Sequence, residues 1–181
     1  MPDTKAIAVI GAGQMGGGIA QVAATSGLSA LVYDAIPASL EKCKANHAKF
    51  LARSVEKGKM SQADCDAALG RIKYAGALTD LKGADWVVEA IVEDAKVKKE
   101  LFANLAAMFT RPEVVLATNT SSISITEIAT ATGAAAGRVV GMHFFNPVPL
   151  MALVEVIPGL ATSPDVIERT MALATKMGKT P

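Results

Sequence analysis

Six glycines fall within residues 5–27, KAIAVIGAGQMGGGIAQVAATSG, and no other stretch constrains the fold as much. The window otherwise reads as a buried strand, AIAVI (6–10), followed by a helix. An interior glycine weakens either element by roughly 0.5–1 kcal/mol relative to alanine. A chain that keeps so many here has a use for bare backbone. Gly11, Gly13 and Gly16 form G-x-G-x-x-G between the strand and the helix. In that pattern the first glycine permits a tight turn and the second lets the backbone approach a pyrophosphate. The third lets helix and strand pack closely. Free N–H groups at the helix start, around Gln14 and Met15, would present a partial positive charge to the phosphates. Taken alone, the loop also suits a tight β–α turn that simply needs small residues.

The rest of the chain alternates short apolar runs with longer amphipathic ones. SALVYD (29–34), RIKYA (71–75), ADWVVEAI (84–91), EVVLAT (113–118) and RVVGM (138–142) read as strands, and LVEVI (153–157) as one more. Helices are expected over 14–26, from Pro37 to about Lys57, and over 61–69, 94–108, 124–132 and 164–178. Continuous apolar strands separated by helices predict a mostly parallel sheet covered on both faces. The expected architecture is a Rossmann-type doubly wound α/β fold with a helical arm at about 37–69. The 181 residues suit one domain, so 1–181 is expected to form a single dinucleotide-binding unit. The last residues, KMGKTP, read as the approach to a further element, and the design is expected to continue past residue 181.

Composition removes several classes of function. The net charge is +1 with no basic or acidic block, which argues against nucleic acid or acidic membranes as partners. Cys43 and Cys65 form no CxxC pair, so neither a disulfide framework nor a metal site is expected, and a reducing compartment suits them. Asp3 and Lys5 directly precede the first strand-like run, and no signal peptide is expected. No apolar run reaches the ~20 residues of a membrane span. A cytoplasmic protein is the expectation.

Further polar residues fall where such folds bind ligands, outside the carboxyl ends of the strands. Asp34 ends the second strand, 23 residues after Gly11. A carboxylate there accepts hydrogen bonds from the adenosine ribose and repels a 2′-phosphate, favouring NAD over NADP. A solvated strand-end aspartate is the alternative. Asn119–Ser122 (NTSS) follow the fifth strand, and His143 follows the sixth in GMHFFNPVP. Glu155 stands in the apolar run L-V-E-V-I, where a buried carboxylate would need a partner. Paired with His143, it would fix the imidazole tautomer. The other histidine, His47, reads as a surface residue of the polar helix.

Together, IGAGQMGGGIAQVAATSG, VVEAIVED, NTSS and HFFNPVPLMALVEV resemble the L-3-hydroxyacyl-CoA dehydrogenase family over essentially the whole chain. The resemblance implies NAD-linked, reversible oxidation of an (S)-3-hydroxyacyl-CoA, such as 3-hydroxybutyryl-CoA, to the 3-ketoacyl-CoA. It implies His143 as general base, Glu155 as its orienting partner, and Ser121 as a hydrogen-bond donor to the reacting oxygen and a contact to the acyl-CoA. It places Gly11, Gly13, Gln14, Met15, Gly16, Asp34, Glu93, Lys98 and Asn146 on the cofactor. An ordinary helix-start pair, an acid with an exposed lysine, is the alternative for Glu93 and Lys98. Arg53, Lys57 and Lys59 would meet the phosphates of CoA, or else form a solvated face. Phe50 stands where some members carry a serine. Members of the family continue for about another hundred residues, forming a helical domain that closes over substrate, supplies a catalytic asparagine and makes a homodimer. That domain lies outside the 181 residues, which puts activity, rather than cofactor binding, in question. A dehydrogenase of a free hydroxy or sugar acid, or a non-catalytic NAD-binding relative, are the competing readings.

Overall fold

The computed structural model describes residues 4–181. Seven strands form one sheet: β1 (Ala6–Ile10), β2 (Ser29–Tyr33), β3 (Ile72–Tyr74), β4 (Trp86–Glu89), β5 (Val115–Thr118), β6 (Val139–Phe144) and β7 (Val154–Pro158). Their order across the sheet is β3-β2-β1-β4-β5-β6-β7, parallel throughout except for β7, which pairs antiparallel with β6. The helices are α1 (Gln14–Thr25), α2 (Pro37–Glu56), α3 (Gln62–Arg71), α4 (Ala95–Met108), α5 (Ile125–Thr130) and α6 (Pro164–Lys176). This is the doubly wound arrangement that the apolar strands and intervening helices predict.

Alternation along each strand feeds two cores. Ile7 and Val9 of β1 join Ile19, Ala23, Trp86, Val140, Leu173 and Met177 on the face covered by α1 and α6. Ala8 and Ile10 join Val87, Phe102, Leu105, Leu116 and Ile128 beneath α4 and α5. Parallel strands buried on both sides must be apolar at every position, hence the unbroken runs of Val, Ile and Ala.

Three helices begin with a polar side chain that accepts a backbone N–H: Ser61 before α3, Asp94 before α4 and Ser124 before α5. Proline at the first helical position opens α2 and α6. Only α1 begins on a glycine, Gly13, with no side-chain cap. The α2–α3 arm forms at the expected place. The helix expected over 124–132 is shorter, at six residues, and gives way to a 3-10 turn over Gly133–Arg138. Sheet order reverses between β2 and β4 on either side of β1, so the ligand crevice of this fold opens at the carboxyl ends of β1 and β4.

Candidate active site at the carboxyl edge of the sheet

At the β1–α1 junction each glycine of the motif answers a different demand. Gly11 has φ +104°, and a Cβ there would lie 2.4 Å from the carbonyl oxygen of Ala90. A Cβ on Gly16 would lie 1.8 Å from the oxygen of Gly11, so the helix sits directly on the turn. Gly18 does the same for a distant segment: its Cβ would meet that of Val148 at 2.8 Å, so the loop after β6 packs on α1. Gly13 is the exception, because nothing lies within 4 Å of the Cβ it lacks. Open space at the second glycine and unclaimed N–H groups at the start of α1 are what a pyrophosphate requires. The residues present therefore fit a dinucleotide.

Asp34 flanks this loop. Its Oδ2 accepts the Ala12 N–H at 2.7 Å and its Oδ1 accepts the Ile36 N–H at 2.8 Å, so the carboxylate is held beside the turn with lone pairs to spare. Two residues that sequence reasoning passed over stand nearby. Ile36 is 61% exposed just beyond β2, and Val92 is 66% exposed just beyond β4. They follow the carboxyl ends of β2 and β4, the two strands that flank β1. An apolar residue two positions after the acid, in D-A-I-P, was the available signal for Ile36.

A second cluster joins β4 to β5. Glu89 is fully buried and receives the Lys98 ammonium at 2.5 Å and the Thr118 hydroxyl at 2.6 Å. Lys98 is buried as well, not exposed as a helix-start pair would leave it, and also reaches Glu93 at 3.2 Å. Glu93 accepts from the Thr120 hydroxyl, from the Ser121 N–H at 3.2 Å and from the Ser122 hydroxyl at 3.2 Å. Burial pushes the Glu93 carboxyl up, but the Thr120 hydrogen bond and the Lys98 charge outweigh it and hold the group below the usual carboxylate range. Sequence reasoning missed Glu89 and Thr118, and placed Thr120 at this edge only as part of NTSS. A charged residue at the end of an otherwise apolar strand, W-V-V-E, was the sign.

The third group lies at the far side of the same edge. His143 and Glu155 stand directly opposite each other in the β6–β7 ladder. The His143 Nδ1 lies 2.8 Å from the Glu155 Oε2. A carboxylate only accepts, so Nδ1 carries the proton and Nε2 keeps a free lone pair. The His143 side chain is 17% exposed and that of Glu155 50%. The expected burial of Glu155 is not found: β7 is the edge strand, and alternate residues on its outer part face solvent. The Phe145 ring packs against the imidazole at 4.7 Å between centroids. Asn119 accepts the Phe144 N–H at 2.8 Å and so ties the end of β5 to the end of β6. Asn146 accepts from the Gln14 amide at 3.0 Å, which links the loop after β6 to the first residue of α1. Met15 is turned inward and packs on the core.

Ser121 is exposed at a cleft of about 320 Å³ that Thr120–Thr126, Ile157 and Pro158 line. Gly141 and Ile157 pair two residues along the ladder from His143 and Glu155, which puts the cleft beside that pair on the same sheet face. Arg53, Lys57 and Lys59 are exposed along the end of α2 and the turn after it, and Phe50 is exposed one helical turn earlier.

His47 is not a surface residue. It is buried, with Nε2 2.8 Å from the Gly17 carbonyl and Nδ1 2.7 Å from the Tyr74 hydroxyl. Since a carbonyl only accepts, Nε2 carries the proton and Nδ1 accepts from Tyr74. Burial lowers the pKa of His47, against the Gly17 hydrogen bond. The polar composition of α2 hid this contact: α1 and Tyr74 close over a face of the helix that buries Cys43, His47 and Leu51, one turn apart from each other.

Among the described residues no group of three or more His, Cys, Asp or Glu could hold a metal ion. No helix among them is long and apolar enough to cross a membrane.

Comparison with known proteins places these features in a wider set. A family model described as "3-hydroxyacyl-CoA dehydrogenase, NAD binding domain" matches residues 6–181. The chain is 50% identical over 173 residues to a probable 3-hydroxybutyryl-CoA dehydrogenase of Deinococcus radiodurans, covering 96% of this chain and 61% of that protein. It is 48% identical over 178 residues to a probable 3-hydroxybutyryl-CoA dehydrogenase of Bacillus subtilis, covering 98% of this chain and again 61% of the relative. The crystal structure of 3-hydroxybutyryl-CoA dehydrogenase from Escherichia coli K12 superposes with a TM-score of 0.96 at 43% identity, over 99% of this chain and 38% of that one. The chain thus spans about 61% of the length of the two curated relatives.

Proposed function

The chain belongs to the 3-hydroxyacyl-CoA dehydrogenase family, as its NAD-binding domain, and we propose from this that it serves the NAD-dependent oxidation of (S)-3-hydroxyacyl-CoA, including 3-hydroxybutyryl-CoA, to the 3-ketoacyl-CoA. The observation that carries the chemistry is the His143–Glu155 pair, whose 2.8 Å contact through Nδ1 leaves Nε2 free to accept a proton. NAD held in this crevice would supply the hydride-acceptor chemistry. The chain's own residues do the rest. His143 Nε2 takes the hydroxyl proton as general base and returns it in the reverse direction. Glu155 orients the imidazole and stabilises its charged form. The Ser121 hydroxyl donates to the reacting oxygen as it becomes a carbonyl. Gly11, Gly13, Gly16 and the first N–H groups of α1, at Gln14 and Met15, cradle the pyrophosphate, and Asp34 takes the ribose hydroxyls. Glu93 serves the cofactor side, with the buried Lys98 acting there through its contact to Glu93, and Asn146 serves the nicotinamide end. Arg53, Lys57 and Lys59 are the contacts for the phosphates of CoA.

We read residues 1–181 as one dinucleotide-binding unit whose arm spans about 37–69. In a chain of the relatives' length, a helical domain would complete the substrate cleft and form a homodimer. The compartment we propose is the cytoplasm, where the free thiols of Cys43 and Cys65 stay reduced.

The test is NADH formation from 3-hydroxybutyryl-CoA, measured on this chain and on one extended to the relatives' length, with free 3-hydroxybutyrate as the control. Turnover that needs the CoA moiety and falls in His143→Ala supports the assignment. Equal turnover of the free acid would move it to the hydroxy-acid dehydrogenases. No difference between His143→Ala and the parent would leave an NAD-binding protein without this chemistry.

A further inference from the structure

Glu89 ends β4 in the interior with no exposure, and the reaction set out above gives it no part. A buried carboxylate is costly unless its acceptor sites are matched. Here three donors meet it. Oε1 takes the Lys98 ammonium at 2.5 Å and the Ile91 N–H at 2.8 Å, and Oε2 takes the Thr118 hydroxyl at 2.6 Å. Packing alone does not account for this group, since an apolar pair of similar volume is often as stable as a buried ion pair. What distinguishes the pair is where it leads. Lys98 turns a second N–H to Glu93 at 3.2 Å, and Glu93 gathers the hydroxyls of Thr120 and Ser122 with the Ser121 N–H. A continuous run of charge-assisted hydrogen bonds therefore passes from the end of β4, through α4, to the loop after β5. Beside it runs a shorter neutral link, in which the Thr118 hydroxyl accepts the Thr120 N–H at 3.3 Å and which the side-chain amide of Glu89→Gln can still hold.

We propose that Glu89 is a positioning residue: through Lys98 it fixes Glu93, and through Glu93 it sets the 120–122 loop that carries Ser121. The inference rests on the roles given above to Ser121 and Glu93. It explains why the position holds Glu and not Gln. An amide could keep its oxygen on Lys98 and turn its NH₂ to the Thr118 hydroxyl, which can accept, but it would lose the negative charge that holds the buried ammonium. Two carboxylates around one ammonium also leave the cluster with a net negative charge, and Glu93 is its more exposed end. Lys98 is thus committed inward and serves the loop from below.

Glu89→Gln, Lys98→Met and the double variant test this, read by NAD affinity from calorimetry and by amide exchange and NMR order parameters at Ser121. A charged hydrogen-bond network predicts about a tenfold loss of NAD affinity in Glu89→Gln. Ser121 should loosen in that variant more than amides of the distant β2–β3 region. In the Lys98→Met background the same substitution should change both readouts less than about twofold, because its route to Glu93 is gone. Equal effects in both backgrounds, or parent-like affinity and Ser121 dynamics in Glu89→Gln, would overturn the proposal. Should Glu89→Gln not fold, Lys98→Met alone cuts Glu89 from Glu93 and leaves the Thr118–Thr120 contact in place. It should loosen Ser121 and weaken NAD binding by a few-fold, and parent-like behaviour would again overturn it. A parent chain that bound no NAD would undo the cofactor assignment instead, while the Ser121 dynamics would still decide the role of Glu89.

Discussion

The two ends of the candidate site are built in opposite ways. The dinucleotide side, around β1 and β4, is made of backbone: a turn at Gly11, an open Cα at Gly13, and helix N–H groups with no side chain on them. The side proposed for proton transfer, on β6 and the edge strand β7, is made of side chains, with His143 and Glu155 partly in solvent. Backbone that carries phosphates must come close and cannot adjust, so it is locked by contacts no Cβ survives. An imidazole that takes and returns a proton needs a free nitrogen and an approach path, so it sits where the sheet runs out. The antiparallel β6–β7 pairing supplies what rigidity this side has, because direct opposition in the ladder holds the two side chains in register.

That contrast can be broken or sharpened by substitution. The largest effect should fall on turnover alone. His143→Ala is expected to lower kcat by about 10²–10⁴ while NAD affinity in calorimetry stays that of the parent. A matching loss of NAD affinity would show that the two ends are not separable. Gly16→Ala should do the reverse. Its Cβ would lie 1.8 Å from the Gly11 oxygen, so thermal unfolding should show about 1–3 kcal/mol of lost stability together with weakened NAD binding. Glu155→Ala removes one charged hydrogen bond from His143, and a fall in kcat of about 10- to 100-fold is expected, again without change in NAD affinity. Gly13→Ala sharpens the comparison most finely. Nothing lies within 4 Å of the added methyl, so denaturation should move by no more than about 0.5 kcal/mol while NAD binding weakens. A large stability loss there would mean that the space is needed by the protein rather than by a ligand.

The smallest effect concerns pH. Burial lowers the folded-state pKa of His47 below its ordinary value of 6.5. Below pH 6.5 the unfolded chain therefore binds more protons than the folded one, and stability falls as pH drops from there toward the folded pKa. Above 6.5 the contribution of His47 is constant. Urea unfolding between pH 7.5 and pH 5 should show this slope on top of that from the acidic groups, and His47→Asn should reduce it.

The same division governs how far the chain could be read from its residues. Strands at 6–10, 29–33 and 115–118 follow from unbroken apolar runs, and the phosphate turn from glycine spacing, because each depends on neighbours in sequence. Burial of single polar residues did not follow. His47 lies on a polar helix and Lys98 near a helix start, and both went inside because a partner arrived from elsewhere: the Gly17 carbonyl for one, Glu89 for the other. Glu155 went the other way, since its apolar neighbours say nothing of whether a strand lies inside a sheet or at its rim.

The order of local signals, apolar run, turn, helix and acid, therefore determined on its own that this chain winds a parallel sheet around a dinucleotide turn. Only the tertiary structure decided that Glu89 meets Lys98 and Glu93, and it gave the His143–Glu155 pairing, which the family resemblance implies but spacing does not, its 2.8 Å contact. The physical reason is range. Backbone conformation responds to residues a few positions away, whereas the fate of a charge depends on what the sheet brings opposite it from 9 to 12 positions away, or from far beyond.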